Sequence, residues 1–123
     1  IGTLGANIKD SKIFINKNIV KVETKEKLSG KNSSLAVSFK RKHFFKEGKN
    51  IYHHVGVYAY NISTLKKFVK LNQTQNEIKN RLEQLRALDN NLKINVILAK
   101  SSPIGVDTKE DYLALKKIME YKS

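Results

Sequence analysis

Three short segments carry side chains whose types and spacing suit chemistry. Asp107 lies in the segment GVDT, at a predicted loop-to-helix junction, where a carboxylate either caps a helix or binds Mg²⁺. His54 and Tyr58 are four residues apart in a strand-like segment, so both side chains should point to one side. Glu83 and Gln84 lie mid-helix by prediction, away from the apolar stripe. Each set also has a plain structural interpretation, as a helix cap, half-buried strand residues or solvent-exposed helix residues.

The elements that must position these residues alternate between strands and helices. Hydrophobic periodicity identifies short segments of the chain, and turn residues separate them. Together they predict an α/β or α+β unit, a single domain over residues 1–123. The predicted strands cover 2–8, 19–23, 35–39, 52–60 and 93–99, and the predicted helices cover 62–70 and 74–89 and begin again at 108.

The segment 52–60, YHHVGVYAY, gives the clearest strand prediction. Its β-branched and aromatic residues alternate with a period of two. That alternation places His54 and Tyr58 on one face, a candidate functional surface, and His53 on the opposite face.

A capping-box pattern predicts where the central helix begins. Thr74 is followed three residues later by Glu77, the spacing at which the two side chains satisfy each other's backbone N–H groups. Leucines then recur at helical spacing up to Asp89. One continuous helix is therefore predicted, with Glu83 and Gln84 in its middle.

The charge balance is strongly basic, but it is weak evidence for a nucleic-acid partner. The net charge is +13, yet only three of the 24 cations are arginines, the residue favoured for bidentate phosphate and base recognition. The lysines are scattered and lack interleaved aromatic residues for base stacking. We expect a solvated basic surface rather than a nucleic-acid-binding surface.

Several classes of site and location are excluded or disfavoured by composition. The chain has no cysteine, which excludes disulfides and thiolate metal sites. No apolar run approaches the roughly 20 residues of a membrane helix, and no signal peptide is visible. We expect a cytoplasmic location without membrane insertion. The start at Ile1 rather than Met suggests an internal fragment or a truncated reading frame.

Three segments in order resemble one family of enzymes. Residues 52–60 resemble the pattern H-x-G-x-Y-x-Y, residues 81–88 resemble L-E-Q-L-R-x-L, and residues 104–111 resemble G-V-D-T-P-E-D. Residues 18–22, NIVKV, and the opening Thr3-Leu4 add to the likeness, which spans nearly the whole chain. These patterns resemble the C-terminal half of the CMP-KDO synthetases, the 3-deoxy-manno-octulosonate cytidylyltransferases.

The resemblance implies a fold and a reaction. The fold would be the C-terminal part of a Rossmann-like nucleotide-diphospho-sugar transferase, a mixed sheet with flanking helices. The reaction would convert CTP and KDO, an acidic eight-carbon sugar, to CMP-KDO and pyrophosphate in lipopolysaccharide biosynthesis. The sugar's anomeric hydroxyl would attack the α-phosphate in line, with Mg²⁺ screening the phosphates. The family also implies a homodimer.

The resemblance also implies roles for particular residues. Asp107 would be a catalytic residue and Mg²⁺ ligand, and the sugar pocket would be lined by polar and cationic side chains that suit a polyol with a carboxylate. The KDO-binding residues implied are Arg41, His54, Tyr58, Glu83 and Gln84.

The departures from the family pattern limit what this chain should do alone. The family's Phe-Ser-Arg is here Phe39-Lys40-Arg41, and Lys109 replaces the proline after G-V-D-T. The family's basic, glycine-containing nucleotide loop and its Q-G-D aspartate, both in the N-terminal half, do not occur. We therefore expect the chain alone to be inactive and to need that half as a partner. The competing interpretation is a non-catalytic remnant or a small basic nucleic-acid-binding module.

Overall fold

The computed structural model describes residues 1–42, 49–100 and 109–122. A short 3₁₀ helix, Ser11–Ile15, follows the first strand. The strands are β1 (Gly2–Ala6), β2 (Lys21–Thr24), β3 (Ser33–Lys40), β4 (Asn50–Ala59) and β5 (Asn95–Leu98), and the α-helices are α1 (Ile62–Val69), α2 (Gln75–Asn80), α3 (Gln84–Asp89) and α4 (Lys109–Lys122).

The five strands form a mixed sheet that closes into a barrel. Their order is β1-β4-β2-β3-β5, and β5 pairs back to β1. The β1–β5 pair is parallel and the other pairs are antiparallel, which confirms the predicted mixed sheet with helices. Closure into a barrel was not predicted. The register shifts between Thr3 and Leu4 and between Glu23 and Thr24 increase the local bend that closure needs.

The core lies inside the barrel and continues beneath the α2–α3 helices. Val22 and Val96 are completely buried at its centre. Leu82 and Leu85 join the same cluster from the helical side, so the helices and the sheet share one apolar interior. The other members of this cluster are Leu28, Phe39, Tyr52, Phe68, Ala87 and Ile94.

Gly5 allows β1 to approach the interior of the barrel closely. A Cβ at this position would lie 3.1 Å from Tyr52 Cβ and 3.1 Å from Val96 Cγ1. Tyr52 Cβ is fixed by the backbone of β4, and Val96 is fully buried. Both neighbours would have to give by a few tenths of an ångström in a buried contact, so packing favours glycine here.

The predicted continuous helix over 74–89 is wrong, because it is divided into α2 and α3. The capping box that begins it is confirmed: Thr74 accepts from the Glu77 N–H, and the Glu77 side chain accepts from the Thr74 N–H. The division falls at Arg81, whose backbone is left-handed with φ 54° and ψ 44°. A left-handed residue ends α2, and the chain then turns so that Leu82 and Leu85 both reach the core.

Several apolar helix residues lie on the surface. On α1, Phe68 is buried, whereas Ile62 is 72% and Val69 is 66% exposed. On α4, Tyr112 and Met119 are also exposed. The helices of the described ranges include none with the length and apolar character that crossing a membrane requires. The surface therefore keeps apolar area that this part of the chain does not cover.

Replacement of Gly5 by alanine should destabilise the fold. The added methyl group would overpack the contact between β1, β4 and β5, so we expect Gly5→Ala to lower the free energy of unfolding by about 1–3 kcal/mol. Urea denaturation measures this change. The matched control is Gly30→Ala, where a Cβ would meet nothing within 4 Å. Equal stability of the two variants would contradict the packing argument.

Candidate functional site

A continuous row of aromatic rings crosses the molecule from β3 through β4 to α1. Phe39 meets His54 edge-on, with ring centroids 5.0 Å apart, and His54 lies 5.5 Å from Tyr58. Tyr58 lies 6.1 Å from Tyr60, which lies 6.0 Å from Phe68. The predicted pair His54 and Tyr58 is therefore brought into direct ring contact at the middle of this row.

A bulge in β4 makes that contact possible. Thr3 of β1 is paired with Tyr58, but the next residue of β1, Leu4, is paired with Val55. Residues 56–57 have no paired residue in β1, and both are exposed to solvent. Four residues of regular strand would separate two side chains by roughly 13 Å. The simple alternation predicted for 52–60 is therefore wrong across the bulge, where His54 and Val55 are both buried.

His54 is a neutral, hydrogen-bonded imidazole at physiological pH. The residue is only 8% exposed, and its Nε2 lies 2.9 Å from Thr3 Oγ1. Burial, with a smaller contribution from His53, lowers the pKa of His54 to about 4. His53, its half-buried neighbour, also has a lowered pKa, caused by burial and by the charge of Lys21.

Two phenols continue the row of rings from His54, and one carboxylate, that of Glu83, acts on both electrostatically. Burial raises the pKa of the Tyr58 phenol far above its usual value, and the nearby Tyr60 and Glu83 raise it further. The pKa of Tyr60 is also raised, first by burial and then by Glu83. Both phenols therefore remain protonated donors, while the 71% exposed Glu83 side chain is near enough to act on both electrostatically.

Glu83 and Gln84 occupy the junction between α2 and α3 rather than the middle of a helix. Glu83 precedes the first residue of α3, and Gln84 is that first residue, half-buried. From this junction Glu83 acts electrostatically on both Tyr58 and Tyr60. The predicted mid-helix placement is thus corrected by the same break that ends α2 at Arg81.

A buried ion pair fixes this junction. Arg86 donates from Nε to Glu77 Oε1 at 2.9 Å and from an Nη to Glu77 Oε2 at 2.6 Å. The Arg86 guanidinium also stacks over the Phe68 ring, 5.1 Å from its centroid. Sequence reasoning missed this role, although the capping-box Glu77 and the arginine of the L-E-Q-L-R segment were both noted.

Arg41 binds backbone carbonyls at the end of α2. Its guanidinium donates to the carbonyls of Asn80, Arg81 and Lys17, at 3.1, 3.0 and 3.3 Å. This geometry caps a helix C-terminus, where the carbonyls lack intrahelical partners. The expected contact of Arg41 with a sugar carboxylate stays a prediction.

The Arg41 backbone is itself held by a buried lysine. Lys21 is completely buried, and its Nζ donates to the carbonyls of Asn16, Ile19 and Arg41. Burial and the nearby Arg41 charge lower the Lys21 pKa to about 8. These three hydrogen bonds join the turn before β2 to the end of β3.

Two clefts flank the α2–α3 junction. The larger, of about 1170 Å³, is lined by six basic residues among fifteen, and Arg41 is one of the six. The smaller, of about 590 Å³, includes Glu83 and Arg86. Arg81 lines both, so the clefts adjoin at the left-handed turn. The structure thus brings His54 and Tyr58 into contact, whereas Glu83 lines the smaller cleft and Arg41 lines the larger one.

The predicted metal ligand cannot be placed. Asp107 lies outside the described residues. Within the described ranges, no three His, Asp or Glu side chains come together as a metal site would require. The Mg²⁺ site therefore stays a prediction from the sequence.

Comparison with known proteins identifies relatives of this chain. No model of a protein family matches it. It is 40% identical over 112 residues to the 3-deoxy-manno-octulosonate cytidylyltransferase of Brucella anthropi, which covers 90% of this chain and 44% of the relative. The enzyme of the same name from Brucella ovis is 41% identical over the same coverage. The chain therefore spans less than half the length of these relatives and matches their C-terminal part.

A solved structure shares the fold. It is described as CMP:2-keto-3-deoxy-manno-octonic acid synthetase complexed with CTP. The match has a TM-score of 0.78 and 23% identity, and it covers 99% of this chain and 49% of that one. The arrangement of strands and helices described above is therefore an α/β fold shared with about half of that chain.

Acidification should destabilise the chain through His54. The imidazole has a pKa of about 4 when folded and near 6.5 when unfolded, so the unfolded chain binds more protons between these values. Stability should therefore fall as the pH drops through that window, by about 2 kcal/mol between pH 7 and pH 5.

Urea denaturation at both pH values measures this loss. His54→Gln should remove most of it and leave the smaller contribution of His53, whose pKa is lowered in the same direction. Carboxyl groups contribute equally to both proteins. An unchanged pH slope in the variant would refute the assignment to His54.

Proposed function

We propose that this chain, a homologue of the C-terminal part of the 3-deoxy-manno-octulosonate cytidylyltransferases, supplies the sugar-binding half of such an enzyme. The reaction is cytidylyl transfer from CTP to KDO, yielding CMP-KDO and pyrophosphate for lipopolysaccharide biosynthesis. The observation that carries the proposal is that residues within the homologous region also lie together in the structure. The same sequence likeness that extends over 90% of the chain includes His54 and Tyr58, whose rings are in contact, and Glu83, which acts electrostatically on Tyr58.

The chemistry of the grouped side chains suits a polyol. Neutral His54, protonated Tyr58 and the Glu83 side chain offer donors and acceptors near aromatic surfaces, which pack against the apolar faces of a sugar ring. Gln84 adds an amide with both a donor and an acceptor. Their part in the reaction is positioning, which holds the anomeric hydroxyl for in-line attack on the α-phosphate.

Arg41 would bind the KDO carboxylate from the adjoining cleft. A guanidinium has five N–H donors, and the three backbone contacts described use at least three of them. Those contacts hold the side chain at the Arg81 turn, the wall shared by the two clefts. A carboxylate there would meet a preorganised cation, which strengthens the hydrogen bond.

Asp107 is the only residue of this chain that we propose as a Mg²⁺ ligand. The described residues do not form a metal site by themselves. Mg²⁺ is commonly held by one or two carboxylates together with substrate phosphates, so Asp107 would serve as one ligand, with others from CTP and from the N-terminal half. Bound there, Mg²⁺ would neutralise phosphate charge.

The assembly that we infer is larger than this chain. Residues 1–123 form the single sugar-binding and dimerisation domain of a Rossmann-like nucleotide-diphospho-sugar transferase, and a cytoplasmic homodimer is its working state. The nucleotide loop comes from an N-terminal half of the same enzyme. The exposed apolar side chains of α1, such as Ile62 and Val69, support the need for such a partner.

Pyrophosphate release from CTP and KDO with Mg²⁺ tests the function. We expect no release by the chain alone, and release when it is mixed with the N-terminal half of a relative. Asp107→Asn should abolish the reconstituted activity because it removes the metal ligand. A mixture that neither releases pyrophosphate nor binds KDO would favour a non-catalytic remnant.

Loss of the Tyr58 hydroxyl should weaken KDO binding without unfolding the chain. We expect Tyr58→Phe to lower the affinity about ten-fold, since one buried hydrogen bond is lost. Calorimetric titration with KDO measures this change. Tyr112→Phe is the matched control, because Tyr112 is an exposed tyrosine on α4. Equal affinities of the two variants would remove Tyr58 from the site.

A further inference from the structure

Thr3 places its hydroxyl at the centre of the β4 bulge. The residue belongs to β1 and is only 3% exposed. Its Oγ1 lies 2.8 Å from the Val57 carbonyl oxygen and 3.2 Å from the Val55 carbonyl oxygen. The third neighbour is His54 Nε2, at 2.9 Å. One buried hydroxyl therefore contacts two acceptors and one imidazole nitrogen.

Counting protons assigns the direction of each bond. A hydroxyl has a single proton to donate, and the two carbonyls can only accept. If the proton goes to Val57, the hydroxyl oxygen is free to accept from His54 Nε2–H, and two hydrogen bonds form. If it goes to an unprotonated Nε2 instead, one bond forms and the Val57 carbonyl faces a lone pair at 2.8 Å. The first arrangement is favoured, because buried acceptors left unpaired cost about 1–3 kcal/mol.

The ring surroundings keep this arrangement unique. Phe39 and Tyr58 are both in ring contact with His54, with centroids 5.0 and 5.5 Å from its own, and these two contacts restrict rotation of the imidazole. Burial keeps the ring neutral at pH 7, with its pKa at about 4. A neutral imidazole carries one proton, and if Nε2 holds it, Nδ1 must be an acceptor.

We propose that Thr3 is a positioning residue, which holds His54 as the Nε2-protonated tautomer so that Nδ1 accepts a hydrogen bond from a substrate hydroxyl. The identity of that substrate as a sugar rests on the proposed function, whereas the tautomer does not. Thr3 itself touches no substrate. It affects binding only by fixing which nitrogen of the His54 imidazole carries the proton.

The tautomer is read directly by NMR of the ¹⁵N-labelled chain at pH 7. We expect the His54 ring to show a proton on Nε2, slow to exchange, and an unprotonated Nδ1. His54→Gln assigns these signals by removing them. Thr3→Ser, which keeps the hydroxyl, should preserve the pattern. Thr3→Val should abolish the slow exchange of the Nε2 proton and bring the two ring nitrogen shifts closer together.

A second buried threonine supplies the matched control. Thr24 is also 3% exposed, and its hydroxyl donates to the Glu26 carbonyl at 2.6 Å. Thr24→Val should therefore leave the His54 signals unchanged. A proton on Nδ1 of His54 in the unaltered chain would overturn the proposal, even if Thr3→Val failed to fold. Identical ring signals in folded Thr3→Val would also overturn it.

Calorimetry with KDO separates this proposal from the proposed function. We expect Thr3→Val to bind KDO about ten-fold more weakly and Thr3→Ser to restore the affinity, as loss of one oriented hydrogen bond requires. KDO affinity unchanged in folded Thr3→Val would overturn the positioning role. If the unaltered chain failed to bind KDO while His54 showed the expected tautomer, the proposed function would fail and the tautomer assignment would stand.

Discussion

The rest of the structure depends on where β1 pairs. This strand lies between β4, which runs antiparallel to it, and β5, which runs parallel, so it closes the sheet into a barrel. Closure requires a close approach at Gly5 and a register shift beside Thr3. That shift forms the β4 bulge and brings the rings of His54 and Tyr58 within 5.5 Å of each other. The geometry of the candidate site is thus a consequence of barrel closure.

Charged side chains inside the protein serve the site indirectly. Lys21 and Arg41 hold the turns around the end of α2 through backbone carbonyls, and Arg86 holds α3 through Glu77. Each cation is matched by acceptors, as buried charges must be. They orient the junction that presents Glu83. Much of the chain's chemical character therefore lies in side chains that we do not expect to touch a substrate.

The side chains grouped at the site are suited to recognition more than to bond breaking. His54 is neutral, and Tyr58 holds its proton because burial and neighbouring Tyr60 and Glu83 disfavour the phenolate. Such groups bind hydroxyls without strong acid–base chemistry at neutral pH. This agrees with a transfer reaction in which positioning and phosphate electrostatics contribute most. The chain matches less than half of each relative. In the assembly that we propose, the groups that bind CTP and stabilise its phosphates therefore come mainly from the other half.

The sequence by itself determined what depends on neighbours along the chain. The capping box of Thr74 and Glu77 and the strand character of 52–60 followed from spacing, because turns and side-chain alternation are local. The motifs also indicated His54 and Tyr58, before their ring contact was known, and Glu83. Only the tertiary structure decided the break at Arg81, because the helical leucine spacing continues unchanged through it.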